Sequence, residues 1–165
     1  MKWRWKQYRR VAKVARNRGS LWLTAGAALS ALAAMLHIGV IVGGPDWYRF
    51  FGAPESYAVA AEQGSWTPAF VTIGIAAVLA SWAVFAISGA GWIARLPLLR
   101  TGLIAITAIY LIRGALLIPA VIYVPYPEGA FDYWSSAIVL VYGLVYLVGV
   151  ILAWPSLSKK AVPPE

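Results

Sequence analysis

One arginine, one histidine and a few hydroxyls stand where the chain is otherwise apolar. Arg113 lies thirteen residues after Arg100, about 20 Å further along a straight helix. A guanidinium at that depth of a hydrocarbon layer costs at least ~2.5–3.5 kcal/mol and normally faces a partner or a wet cavity. Its counter-charge is expected from a loop carboxylate folded inward (Asp46, Glu55, Glu62 or Asp132), a lipid phosphate or an anionic ligand. His37 closes the stripe Gly26, Ser30, Ala33, His37, spaced for one helix face, and so is expected to point inward. Tyr110 shares the face of Arg113, and Ser135, Tyr142 and Tyr146 share a stripe further on. A pocket formed by His37, Tyr110, Arg113, Ser135 and Tyr142, with Asp46 and Asp132 near its mouth, would let Arg113 hold an anion and His37 move a proton. The plainer reading has Arg113 reaching out to headgroups. The remaining polar groups then tie helices together at ~0.6–2 kcal/mol per link.

Other chemistries are excluded or unsupported. Cysteine is absent, which removes disulfides, thiolate metal sites and thiol-based redox chemistry. A single histidine removes bis-histidine haem ligation. There is no paired-carboxylate motif, metal-ligand spacing, nucleophile–base pair or phosphate loop, so no cofactor is expected. No broken, repeated helices or acidic residues inside an apolar stretch suggest a transporter or channel.

The elements that must position these residues are membrane helices. Hydrophobic residues make up 61% of the 165 and charged residues 12%, about half the charge of a soluble domain. Four stretches reach the roughly 20 residues a span requires: Leu21–Val42, Trp66–Ser88, Leu98–Tyr123 and Tyr133–Trp154. None carries polar residues at the 3.6-residue period of a soluble bundle. The fold class expected is all-α, an integral membrane four-helix bundle forming one domain over 1–165. Ala31-Leu32-Ala33 could mark a signal cleavage site, but the apolar run continues to Val42, so the first helix is expected to stay.

Net charge is +8, and its distribution fixes an orientation. Eight bases and no acid precede the first stretch; Arg95 and Arg100 separate the second and third; Lys159 and Lys160 follow the fourth. Acids dominate the other two connections: Asp46, Glu55 and Glu62 against Arg49, then Glu128 and Asp132. Basic segments stay in the cytoplasm, which places both termini there and makes a bacterial inner membrane the expected location. Trp22, Trp92 and Trp154 fall at the inner boundary, and Trp47, Trp66 and Trp134 at the outer one, where amphipathic rings settle. The same charge offers no case for nucleic acid. Instead, residues 1–19 read as a basic cytoplasmic amphipathic segment, with Trp3–Arg18 as a helix whose apolar stripe is Trp5, Tyr8, Ala12 and Ala15, held on anionic lipid of the inner leaflet.

Local signals complete the layout. Small residues crowd the first helix (Ala25 to Ala34) and predict a central position, since they let backbones approach. Gly43-Gly44-Pro45 should end it. Pro54–Gln63 should form a short interfacial helix in the first outer loop, with Glu55 at its positive end. Asp132 is a candidate N-cap for the last helix, and Pro119 should bend or end the third.

Two segments resemble those of small, uncharacterised bacterial inner-membrane proteins of similar length: His37-Ile38-Gly39 through Gly43-Gly44-Pro45-Asp46-Trp47-Tyr48-Arg49-Phe50-Phe51-Gly52-Ala53, and Phe131-Asp132-Tyr133-Trp134-Ser135-Ser136. The resemblance implies four helices and an inner-membrane setting, and no reaction. Tryptophan-rich sensory proteins share the Trp content but have five spans and a different Trp/Pro pattern. The function expected is non-enzymatic binding of a lipid, small apolar ligand or membrane partner through an outer-half polar pocket. The alternatives are an enzyme acting on an anionic lipid or isoprenoid headgroup, and a structural or accessory subunit, including a homo-oligomer.

Overall fold

The computed structural model describes residues 14–116 and 130–158. Among them the chain is helical, without strands: α1 (Arg18–Phe50), α2 (Glu55–Glu62), α3 (Thr67–Gly89), α4 (Leu99–Ala115) and α5 (Ala130–Ser158). Three helical segments, Arg18–Phe50, Thr67–Gly89 and Phe131–Ser158, are long and apolar enough to cross a membrane. α4, of 17 residues, extends for about 25 Å, short of a full hydrocarbon core. Pro119 and the remainder of the stretch expected to run to Tyr123 lie outside the described residues.

Helix boundaries follow local chemistry. Asn17 caps α1: its side chain accepts from Gly19 N–H at 2.7 Å, and Ser20 Oγ accepts from the Asn17 N–H at 3.0 Å, the reciprocal pairing of a capping box. The amphipathic helix expected over Trp3–Arg18 is corrected at its end, because residues 14–17 are not helical and serve as the lead-in to α1; the part before residue 14 lies outside the described residues. Gly43-Gly44-Pro45 breaks α1 without ending it. Gly44 adopts φ 69°, ψ −153°, open to glycine, and helix resumes to Phe50 behind Pro45, whose fixed φ and missing N–H suit a first turn. The short helix predicted at Pro54–Gln63 is α2, with Pro54 preceding its first residue, Glu55. Asp132 is not the N-cap of α5, which already begins at Ala130; it sits in the first turn.

Each long helix runs antiparallel to the next. Gly89 packs on Leu23 across α1 and α3, whose far ends meet where Tyr48 Oη lies 3.4 Å from Thr72 Oγ1. Gly102 packs on the Phe85 ring across α3 and α4. Gly114 lies on the backbone of Leu140 and Gly143 on the side chain and amide of Leu111, joining α4 to α5. α1 and α5 meet at Gly19, where an added Cβ would fall 2.5 Å from Gly149 O and from Ala153 N, and at Gly26, against the Tyr146 ring. α1 therefore touches α2, α3 and α5, the central position its small residues predict. Leu23, Leu103, Tyr146, Ala153 and Leu157 form the middle of the main core, each fully buried.

A second, smaller cluster sits at the α2 end. Val40, Tyr48 and Ala58 are buried there, with Phe51 and Tyr57 against them. Arg49 holds the loop by donating to Glu55 Oε1 (Nη2, 2.7 Å) and to Glu62 Oε1 (Nη1, 2.7 Å). The opposite end carries the bases: Arg16 lies 4.4 Å over the Trp92 ring and Arg100 4.0 Å over that of Trp154, cation–π contacts.

Candidate functional site

α1 and α5 form a wedge. Their backbones touch at Gly19 and Gly149, where neither residue has a side chain to hold the helices apart. Toward the α2 end no glycine contact among the described residues joins them, and the two helices enclose a cavity of about 520 Å³, within the range of small-molecule sites. His37 and Leu36 line it from α1, Ser135, Ile138 and Tyr142 from α5, Tyr110 from α4, and Leu79 from α3. Phe51 and Phe131, ring centroids 6.0 Å apart and edge-to-face, also line it. Gly52, at φ 69°, lets the loop pass: a Cβ there would fall 2.6 Å from the Phe131 ring. Four lining residues, Leu32 (55% exposed), Leu36 (43%), Trp134 (70%) and Ile138 (52%), lie on the outer faces of α1 and α5. The cavity is thus a cleft whose rim is apolar and faces sideways, across the helix axes.

Four of the seven residues expected at a site are brought together here: His37, Tyr110, Ser135 and Tyr142. The His37 ring approaches the carbonyl of Ala33 with Nδ1 at 2.7 Å. A carbonyl only accepts, so Nδ1 carries the proton and donates; in the neutral ring Nε2 is then an acceptor. Ser135 Oγ donates to Asp132 O at 3.2 Å, which commits its proton and leaves lone pairs. Among the described residues Tyr142 Oη has no hydrogen-bond partner; its ring meets that of Tyr110 at 5.6 Å. The cleft therefore offers acceptors at His37 and Ser135, and a hydroxyl donor at Tyr142.

Beneath the cleft lies a hub that sequence reasoning half anticipated. Ser30 Oγ is 3.0 Å from Tyr110 Oη and 2.8 Å from Tyr146 Oη, and Tyr146 Oη donates to Trp82 O at 3.3 Å. Each hydroxyl has one proton, so the carbonyl at one end sets the direction of the whole run. Tyr146 gives its proton to Trp82 O, Ser30 gives its own to Tyr146, and Tyr110 gives its own to Ser30. Ser30 and Tyr146 are fully buried. The Tyr110 ring also stands edge-on to Trp82 at 4.8 Å. Ser30 had been read only as one of the small residues on the His37 stripe. Its spacing of seven residues from His37, two helical turns, places it directly below the cleft.

The other three expected residues lie elsewhere. Arg113 is exposed and is not among the residues lining the cleft; its Nη1 donates to Ser136 Oγ at 3.1 Å. Ser136, one position along α5 from Ser135, points the other way, toward α4. The guanidinium thus links α4 to α5 at Ser136, while the cleft opens between α1 and α5 and does not include it. Asp46 is 95% exposed at its side chain and 3.7 Å from Arg49, so it faces neither Arg113 nor the cleft. Glu55 and Glu62 are likewise held by Arg49, and the Arg49 hydrogen bond holds the Glu55 carboxyl below its usual range. Asp132 contributes its backbone carbonyl to Ser135. Among the described residues no three His, Cys, Asp or Glu side chains converge to hold a metal ion.

No protein-family model, curated protein or solved structure matches the chain. The site must be read from its own geometry.

Proposed function

We propose that this chain crosses a bacterial inner membrane four times, with both termini in the cytoplasm, and binds an apolar ligand without transforming it. The ligand is a lipid or lipid-like small molecule held in the cleft between α1 and α5. One observation carries the reading. An apolar cavity of about 520 Å³ lies between two helices long enough to span, and its exposed rim of Leu32, Leu36, Trp134 and Ile138 faces sideways. Within a bilayer such a rim opens onto acyl chains, so a ligand can enter from the hydrocarbon without crossing water.

The fourth span is the apolar stretch Leu98–Tyr123 read from the sequence, and the packing of α4 between α3 and α5 supports it. The inner-membrane orientation rests on the bases at the Arg16, Arg95 and Arg100 end and the acids at the α2 end. An enzyme that pairs Arg113 with His37 over a headgroup finds less support, because the two side chains serve different faces of α4 and α1.

Copurification tests the proposal. Full-length protein is extracted from membranes and its bound molecules are identified by mass spectrometry, beside the variant Ser135→Trp, whose indole fills the cleft. A bound apolar species present in the wild type and lost from a folded Ser135→Trp supports the reading. The same profile in both proteins, or none in either, overturns it. Reporter fusions after Glu165 and within α2 should lie on opposite sides of the membrane; both on one side would remove the four-span topology.

A further inference from the structure

The polar groups in the cleft also specify what kind of lipid it takes. This step rests on the ligand-binding reading above and narrows it. Among the described residues no lysine, arginine, aspartate or glutamate side chain lines the cavity. Arg113 lies outside it, and the carboxylates of the α2 end are engaged by Arg49. A phosphate, carboxylate or ammonium headgroup would enter without a counter-charge, and an unpaired charge in an apolar site is strongly disfavoured. The charged lipids that make up most of a bilayer are therefore poor occupants.

What the cleft does offer is one acceptor set and one donor. The Nδ1–H···O bond to Ala33 fixes His37 in the tautomer whose Nε2 accepts, and the Ser135 proton is committed to Asp132 O. Tyr142 Oη has a proton that no described residue takes. A ligand carbonyl or ether can use Tyr142 only and leaves Nε2 without a donor. A ligand hydroxyl donates to His37 Nε2, a stronger acceptor than the Ser135 hydroxyl beside it, and accepts from Tyr142, using both kinds of group. We infer that the cleft selects an uncharged, long-chain or polycyclic alcohol. Its hydroxyl sits among His37, Ser135 and Tyr142, and its apolar body leaves through the rim between Leu36 and Ile138.

The probes are geranylgeraniol, its methyl ether and its monophosphate, added to the full-length protein in detergent micelles and measured by competition with a fluorescent apolar reporter. The ether keeps the chain and the acceptor oxygen but loses the donated proton. In the wild type the alcohol should bind about tenfold tighter than the ether, the value of one hydrogen bond withdrawn from a buried acceptor, and tighter still than the phosphate. In His37→Leu the alcohol should fall to the level of the ether, whose own affinity stays within about twofold. A merely structural role for His37 would weaken both ligands together and overturn the inference. So would an ether equal to the alcohol in the wild type, or a preferred phosphate. Because the conclusion is read from a ratio of ligands within one protein, a partly unfolded variant does not mimic it. If none of the three probes displaces the reporter, the ligand-binding reading itself fails; if they bind without discrimination, only this narrowing of it does.

Discussion

Replacing Ser30 with alanine should destabilise the protein more than removing the Tyr146 hydroxyl, although Tyr146 is the larger and equally buried residue. The reason is the direction of the hydroxyl run. In Ser30→Ala the proton of Tyr110 loses its acceptor at 3.0 Å, and Tyr110 is nearly fully buried; an orphaned buried donor costs about 1–3 kcal/mol. Tyr146 meanwhile keeps its bond to Trp82 O and loses only a donor to its lone pair. In Tyr146→Phe, Tyr110 still donates to Ser30, and Ser30 can turn its own proton to the carbonyl four residues earlier in its helix. That substitution should cost under about 1 kcal/mol, near the average polar link inside membrane proteins. The measurement is unfolding of the purified protein by increasing sodium dodecyl sulfate in mixed micelles. A double-mutant cycle isolates the link: Ser30→Ala with Tyr110→Phe removes donor and acceptor together, and the pair should recover about 1–2 kcal/mol of the sum of the two single losses. Strict additivity of Ser30→Ala and Tyr110→Phe would refute the link, and Tyr146→Phe costing more than Ser30→Ala would refute its direction.

Three further outcomes follow from the packing. Gly19→Ala places a methyl 2.5 Å from backbone atoms of Gly149 and Ala153, which cannot rotate away, so it should cost about 1–3 kcal/mol; Gly74→Ala, with nothing within 4 Å, should be neutral or mildly stabilising in the same unfolding assay. Glu55 sits below its ordinary value of 4.5 because Arg49 donates to it. A depressed carboxyl contributes stability above its unfolded pKa and loses it as pH falls through the folded one; hydrogen exchange of α2 should therefore speed up as pH drops below about 4.5, after correction for the intrinsic rate, and Glu55→Gln should abolish that dependence. Arg113→Leu should leave ligand binding in the cleft unchanged within about twofold, whereas a loss above tenfold would return Arg113 to the site.

Three of the apolar lengths, the α2 helix and the central place of α1 could be read from sequence, because each depends on local composition or on residues a few positions apart; Gly-Gly-Pro marked a break, but not that helix resumes behind it. Ser135 and Tyr142, seven residues apart on one stripe, line the same cavity for the same reason. Arg113 misled because depth along a helix can be counted but azimuth against a neighbour cannot. Tyr110, three residues before it, faces Ser30 and the cleft, while Arg113 has rotated far enough to meet Ser136. An angle of 300° separates positions three apart on an ideal helix, and the 60° left over is sufficient to move a side chain from one helix interface to the next. The carboxylates misled for a different reason. Arg49 was counted only as a minority charge in an acidic loop, yet its guanidinium has five donors in a fork and takes Glu55 and Glu62 together.

The position of the cleft follows from where the chain puts its glycines. Between α1 and α5, Gly19 and Gly149 allow backbone contact at one end, and Gly26 admits the Tyr146 ring one step further along. Beyond Ser30 the facing positions become Ala33, His37 and Val40 against Val139, Ser135 and Phe131. No glycine from α1 meets α5 there; Gly39 has the Trp47 ring near it instead. With no glycine contact on that side, α1 and α5 stand apart around the cavity. In α4 and α5 the glycines are placed so that divergence does not occur: Gly114 and Gly143 each receive the opposite helix, at positions matched across the pair. The same residue type thus closes one interface along its length and leaves the other open at the α2 end, where the chain has placed its only histidine and a Tyr142 hydroxyl without a partner among the described residues.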